Sequence, residues 1–221
     1  MASPSLSGPS AAPAGGGPVR QLVVLLHGVG TDGSDLIALA PVLGPHLPDA
    51  AFVAPDAPQP YDMAPFGRQW FSLQDRSTPA LAAGVRATAP LLDAFLDREL
   101  ATRGLDDSAL ALVGFSQGTM MALHVAYRRP RASAGVVGFS GALVEPEALA
   151  GELRARPRTL LVHGAEDEVV NPACLPAAER ALAAAGVPVL SDLRPGLGHS
   201  IDGAGASLAL AFLRQAFGLE K

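Results

Sequence analysis

Cysteine is almost missing: Cys174 stands alone among 221 residues, which excludes an intrachain disulfide and any thiolate-based metal cluster. Lysine is equally scarce, with Lys221 the only one, and the arginines are scattered through a chain of net charge −5. A nucleic-acid surface needs basic side chains gathered on one face, so that class of partner is not expected. No apolar run is long enough to cross a bilayer, so stable membrane insertion is not expected either. Residues 1–18 lack the basic start and apolar run of a secretory signal, and a cytoplasmic location is the expectation.

Glycine and proline, by contrast, are plentiful, at 24 and 20. Residues 1–18 are Ala, Gly, Pro and Ser almost throughout, a composition that buries too little apolar surface to order itself, so a disordered tail is expected there. Residues 19–221 are long enough for one sizeable core and are read as a single domain. Strand-like runs recur at 22–26, 51–54, 109–113, 135–139, 159–163 and 187–193, separated by helical or loop stretches. That alternation calls for a mostly parallel sheet with helices on both faces. Helical spacing is visible in residues 81–102, where Pro90 predicts a kink, and in the last helix, whose expected core stripe is Leu208, Phe212 and Leu213.

The most informative segment is Gly114-Phe115-Ser116-Gln117-Gly118, which follows an apolar run and leads into a helical pattern. A serine at a tight strand-to-helix turn is thrown clear of the sheet, where its hydroxyl can meet a substrate. Glycines two positions to either side remove collisions with the neighbouring strand and helix. Gln117 opens the helix, so its backbone N–H points out of the helix end and can stabilise an oxyanion.

A hydroxyl needs a base, and the base needs an orienting acid. Of five histidines, His27 and His163 end apolar runs, His46 lies in a Pro-rich connection and His124 falls inside a helix, all places that suit structural roles. His199 lies in the loop Pro195-Gly196-Leu197-Gly198-His199-Ser200, from which it can reach the carboxyl edge of a parallel sheet. Among the acids of Ala165-Glu166-Asp167-Glu168-Val169-Val170, Asp167 falls a few residues past a strand end, with Val169 and Val170 placed to anchor its loop on the core. Asp192 lies within a strand, and Asp202 is explained by N-capping. The resulting order, Ser116, Asp167, His199, is that of the α/β-hydrolases.

A competing pattern stands near the N-terminus. Gly28-x-Gly30-x-x-Gly33, with Asp56 beyond it, has the spacing of a dinucleotide-binding fingerprint. His27 displaces those glycines from the strand, however, and Asp32 would put negative charge beside a pyrophosphate. The preferred reading makes this loop the second half of an oxyanion hole, with the Val29 N–H as donor.

Taken together, the elbow, His27-Gly28-Val29-Gly30, His163-Gly164-x-x-Asp167 and Gly198-His199 resemble the carboxylesterase, lysophospholipase and acyl-protein thioesterase family of α/β-hydrolases. Arg68-Gln69-Trp70-Phe71-Ser72-Leu73 and Gly138-Phe139-Ser140-Gly141 strengthen the likeness to its bacterial carboxylesterases. The resemblance implies Ser116 as nucleophile, His199 as base, Asp167 as orienting acid, and the Val29 and Gln117 amides as oxyanion donors. The expected activity is hydrolysis of short- to medium-chain carboxylic esters through an acyl-enzyme, with long-chain lysophospholipids or acyl-protein thioesters as the alternative and a non-catalytic binding module on the same scaffold as a remoter one. A small-molecule ester is then the partner, no metal or organic cofactor is needed, and the chain is expected to be a monomer or a homodimer. Thr119 departs from the small residue that many relatives carry there, and it is expected to crowd the helix start. Residues 140–158 are too few for a separate cap domain, so an open groove is expected. Met63, Phe66, Trp70 and Phe71, in the 59–75 connection, are the candidates for its acyl wall.

Overall fold

The computed structural model describes residues 5–220. Nine strands occur in the order β1 (Ser10–Ala11), β2 (Gln21–Leu26), β3 (Ala50–Val53), β4 (Gln59–Pro60), β5 (Arg68–Gln69), β6 (Leu110–Phe115), β7 (Gly135–Phe139), β8 (Arg158–Gly164) and β9 (Val189–Arg194). The helices are α1 (Gly33–Leu36), α2 (Ala40–Leu43), α3 (Thr78–Arg103), α4 (Gln117–Ala126), α5 (Pro146–Glu152), α6 (Cys174–Ala184) and α7 (Gly203–Ala216). Seven strands form one sheet in the order β1-β3-β2-β6-β7-β8-β9, parallel except for β1, and β4 and β5 pair as a separate hairpin.

Because side chains alternate across a strand, the unbroken apolar runs feed two layers at once. Leu22, Val24 and Leu26 join Leu110, Leu112 and Leu161 on the face covered by α3, α4 and α6. Val23 and Leu25 join Ala111, Val113, Val137 and Val162 on the face covered by α1, α2 and α7. The α7 stripe is Ala209, Phe212 and Leu213; Leu208, expected in the core, is 37% exposed, because the residue that follows it turns inward instead. Helix α3 is capped at its start by Ser77, whose Oγ accepts from the Ala80 N–H, and at its end by Gly104 with φ 66°, and it runs unbroken through Pro90.

The expected disordered tail is corrected for residues 5–18, while Met1–Pro4 lie outside the described residues. Ser10 and Ala11 pair with Val53 and Phe52 as β1, Ala54 N donates to Pro9 O at 2.9 Å, Asp56 N donates to Ser7 O at 2.9 Å, and Leu6 is buried. A composition poor in apolar groups can still be held when the backbone itself supplies the ladder. Gly8 lies so close to β3 that a β-carbon there would stand 2.0 Å from Ala54 O.

Four loops leave the carboxyl ends of β2, β6, β8 and β9, the edge at which parallel sheets bind their ligands. Between β7 and β8 the chain holds only the seven-residue α5, so no second layer is built over that edge there.

Candidate active site

Ser116 sits at the turn from β6 to α4 with φ 54° and ψ −116°, a conformation that L-residues rarely adopt. Its surroundings hold it there. Ser116 N donates to Phe139 O at 2.9 Å, and Ser116 O accepts from Thr119 N at 3.0 Å. A β-carbon on Gly118 would stand 1.9 Å from Leu26 O, and one on Gly114 would stand 2.5 Å from Thr119 N. The helix can therefore press against β2 and β6 closely enough to force the elbow. Thr119 does not crowd the helix start, because Gly138 and Gly141 leave its methyl room and its Oγ1 donates to Phe139 O at 2.8 Å.

Asp167 and His199 meet. His199 Nδ1 lies 2.7 Å from Asp167 Oδ2, and the Val169 and Val170 amides both donate to Asp167 Oδ1 at 2.9 Å. Burial alone would raise the Asp167 carboxyl, but these hydrogen bonds from His199, Val170 and Val169 outweigh it and hold the group below the usual carboxylate range. Val169 and Val170 thus anchor the acid through their amides; Val169 itself is exposed and does not enter the core. His163, read as a strand-end residue, adds a support that sequence reasoning missed: its Nε2 lies 3.0 Å from Val170 O and 3.1 Å from Asp167 Oδ2. Both neighbours are acceptors, so that nitrogen carries the hydrogen. The His199 ring packs against Phe115, the residue before Ser116, with centroids 4.8 Å apart. Among the described residues His199 Nε2 has no hydrogen-bond partner, and Ser116 Oγ is not joined to it.

The loop after β2 is braced from several sides. His27 Nε2 accepts from Ala57 N at 3.0 Å, and its Nδ1 donates to Gly28 O at 2.7 Å. Gly30 N donates to Arg68 O and Arg68 N to Thr31 O, each at 2.8 Å. Asp56, the acid of the dinucleotide-like pattern, accepts from Gly33 N at 2.9 Å, and so is occupied in holding the loop. A β-carbon on Gly28 would stand 3.1 Å from Phe115 Cδ1 and 3.4 Å from Ser116 Cβ, tighter than it would sit at ease. The Val29 and Gln117 amides have no hydrogen-bond partner among the described residues, and both residues line the cleft that holds Ser116.

That cleft has a volume of about 240 Å³, and its walls include Leu73, Leu81, Met120, Val169 and Val170. The candidates for the acyl wall are elsewhere. Trp70 is fully buried: its Nε1 donates to His27 O at 2.9 Å, its N to Gln117 Oε1 at 2.8 Å, and its O accepts from Thr88 Oγ1 at 2.7 Å. Phe71 is buried against Gly84 of α3, and its O accepts from Gln117 Nε2 at 2.7 Å. Met63 and Phe66 are exposed in the connection between β4 and β5 and do not line the cleft. Trp70 and the Phe71 carbonyl instead fix the loop after β2 to the elbow. Of the residues that do line the cleft, Leu73 lies in the 59–75 connection, while Leu81 stands at the start of the helical pattern of residues 81–102 with no signal of its own.

Comparison with known proteins agrees with this architecture. Residues 10–217 match the family model described as Phospholipase/Carboxylesterase. Over 200 residues the chain is 34% identical to Esterase YpfH of Escherichia coli (strain K12), covering 89% of this chain and 83% of that one. The solved structure of esterase PE8 is 42% identical, with a TM-score of 0.92 over 96% of this chain and 99% of that one. Zea mays acyl-protein thioesterase 2 is 25% identical, with a TM-score of 0.73 over 95% of this chain and 98% of that one. On the match of nearly its whole length, this chain belongs to the phospholipase/carboxylesterase family of α/β-hydrolases.

Proposed function

We propose that the protein is a serine carboxylesterase that hydrolyses short- to medium-chain carboxylic esters through an acyl-enzyme. The observation that carries this reading is the hydrogen-bonded Asp167–His199 pair beside the strained Ser116 elbow, at the rim of a cleft into which two unpaired amides are set.

In this mechanism His199 accepts the Ser116 proton as Oγ attacks the ester carbonyl. Asp167 fixes the imidazole with its hydrogen on Nδ1 and stabilises the imidazolium. The Val29 and Gln117 amides receive the oxyanion, and a donor of that kind is worth about a hundredfold to a thousandfold in turnover. His199 then gives the proton to the leaving alcohol, and water repeats the sequence to release the acid. A cleft of about 240 Å³ has room for a short or medium acyl chain. The names of the relatives, two of them esterases, support the reaction class. No helix among the described residues is long and apolar enough to cross a membrane. A chain with one cysteine needs no oxidising compartment, which supports work in the cytoplasm, as a monomer or homodimer.

A fluorophosphonate probe tests the reading. Intact mass and peptide mapping should find one adduct, on Ser116, absent from Ser116→Ala. Folded wild-type protein that takes up no probe would overturn it.

A further inference from the structure

We propose that Arg76 makes the enzyme selective for esters whose acyl chain carries a carboxylate, as in the half-esters of dicarboxylic acids; this rests on the esterase reading above. The cleft that holds Ser116 is walled mainly by aliphatic side chains, and Arg76 is the one charged residue lining it. Among the described residues its guanidinium makes no ion pair and no hydrogen bond. The neighbouring acid does not neutralise it closely: Asp75 Oδ1 accepts from Ser77 N at 2.8 Å, at the start of α3, which turns that carboxylate toward the helix end. An aliphatic trough with a single uncompensated cation at its exposed border matches a ligand with an apolar stem and an anionic tip.

The side of the ester that enters this trough follows from the chemistry. The leaving oxygen must face His199, from which it takes its proton, and His199 lines a second cleft, of about 280 Å³, together with Asp35, Leu36, Phe115, Ser200 and Ile201. The alcohol part goes toward that cleft, whose one acid, Asp35, disfavours an anionic alcohol. The acyl part goes toward the cleft with Val29, Gln117 and Arg76. The two clefts thus differ in sign, and the carboxylate belongs on the acyl side.

The test compares kcat/KM for mono-4-nitrophenyl glutarate with that for 4-nitrophenyl hexanoate, in wild type, Arg76→Lys, Arg76→Gln and Arg76→Glu. A third substrate, the pentanoate ester of 4-hydroxybenzoate, moves the carboxylate to the leaving group. An exposed pairing of this kind supports a change of up to about fivefold. The glutarate-to-hexanoate ratio should fall by that factor in Arg76→Gln, fall further in Arg76→Glu, survive in Arg76→Lys, and shrink with added salt in wild type alone or with Lys. A ratio that stays the same across all four proteins would overturn the role of Arg76, as would an equal dependence on Arg76 for the hydroxybenzoate ester. No turnover of any ester, with no fluorophosphonate adduct, would defeat the esterase reading itself, and this inference with it.

Discussion

His27 and His199 both stand in glycine-containing loops at the carboxyl edge of one sheet, and they differ in what the protein leaves to their rings. His27 is fully buried, and both of its nitrogens are consumed, one accepting from Ala57 N and the other donating to Gly28 O. Burial pushes it below its ordinary value, so it stays neutral. His199 spends Nδ1 on Asp167 and keeps Nε2 without a partner among the described residues. A histidine does chemistry on a substrate through the nitrogen its own protein has not claimed, and neighbouring sequence is a poor guide to which one that is.

Replacing the two residues should separate their roles. Ser116→Ala and His199→Ala should each cut kcat by more than about 10⁴-fold, read in ester turnover, with the thermal midpoint little changed. Asp167→Asn, which keeps the shape but favours the wrong tautomer, should follow at about 10³- to 10⁴-fold. Gly118→Ala should act on the frame instead, lowering stability by about 3 kcal/mol or more in urea unfolding, because Leu26 O occupies the space of the new methyl. His27→Leu should cost about 1–3 kcal/mol, since Ala57 N is left buried without an acceptor. It should also leave the pH dependence of ester turnover unchanged, because burial keeps the His27 ring neutral. A pH dependence altered in His27→Leu would erase the contrast between the two rings.

His124 offers the smallest and most specific check. Its Nδ1 is buried without a partner, and burial first, then Arg128 and Arg86, push its pKa from 6.5 to about 4. The unfolded chain therefore binds the proton more readily than the folded one. Its contribution to stability is intact above about pH 6.5 and is lost as the pH falls toward 4. His124→Leu should flatten the fall of the thermal midpoint across that window, and an unchanged slope would refute the assignment.

The elbow is legible in the amino-acid sequence, because its glycines, its serine and the order of its partners are each demanded by backbone sterics or by proton transfer. The sheet is legible for the same kind of reason, since apolar runs of strand length alternate with helical spacing. The cleft walls are not. Trp70 and Phe71 are large and apolar whether they face a ligand or a helix, and only the hydrogen bonds from Trp70 to His27 and Gln117, with Gly84 cleared for Phe71, decide the matter. The strand at Ser10–Ala11 is equally hidden, because its hold is made by backbone groups that every sequence possesses.

That short strand also covers the border of the sheet at β3. Without it β3 would end the sheet in a row of bare amides and carbonyls, the sort of border onto which a second polypeptide adds itself in fibrils and swapped dimers. The opposite border, β9, is protected by other means, with Asp192 and Arg194 set among the exposed Leu190 and Leu193. One margin is hemmed and the other only charged, so loss of the stretch that carries Ser10 and Ala11 would bare the ladder groups of Phe52 and Val53 to whatever strand came near.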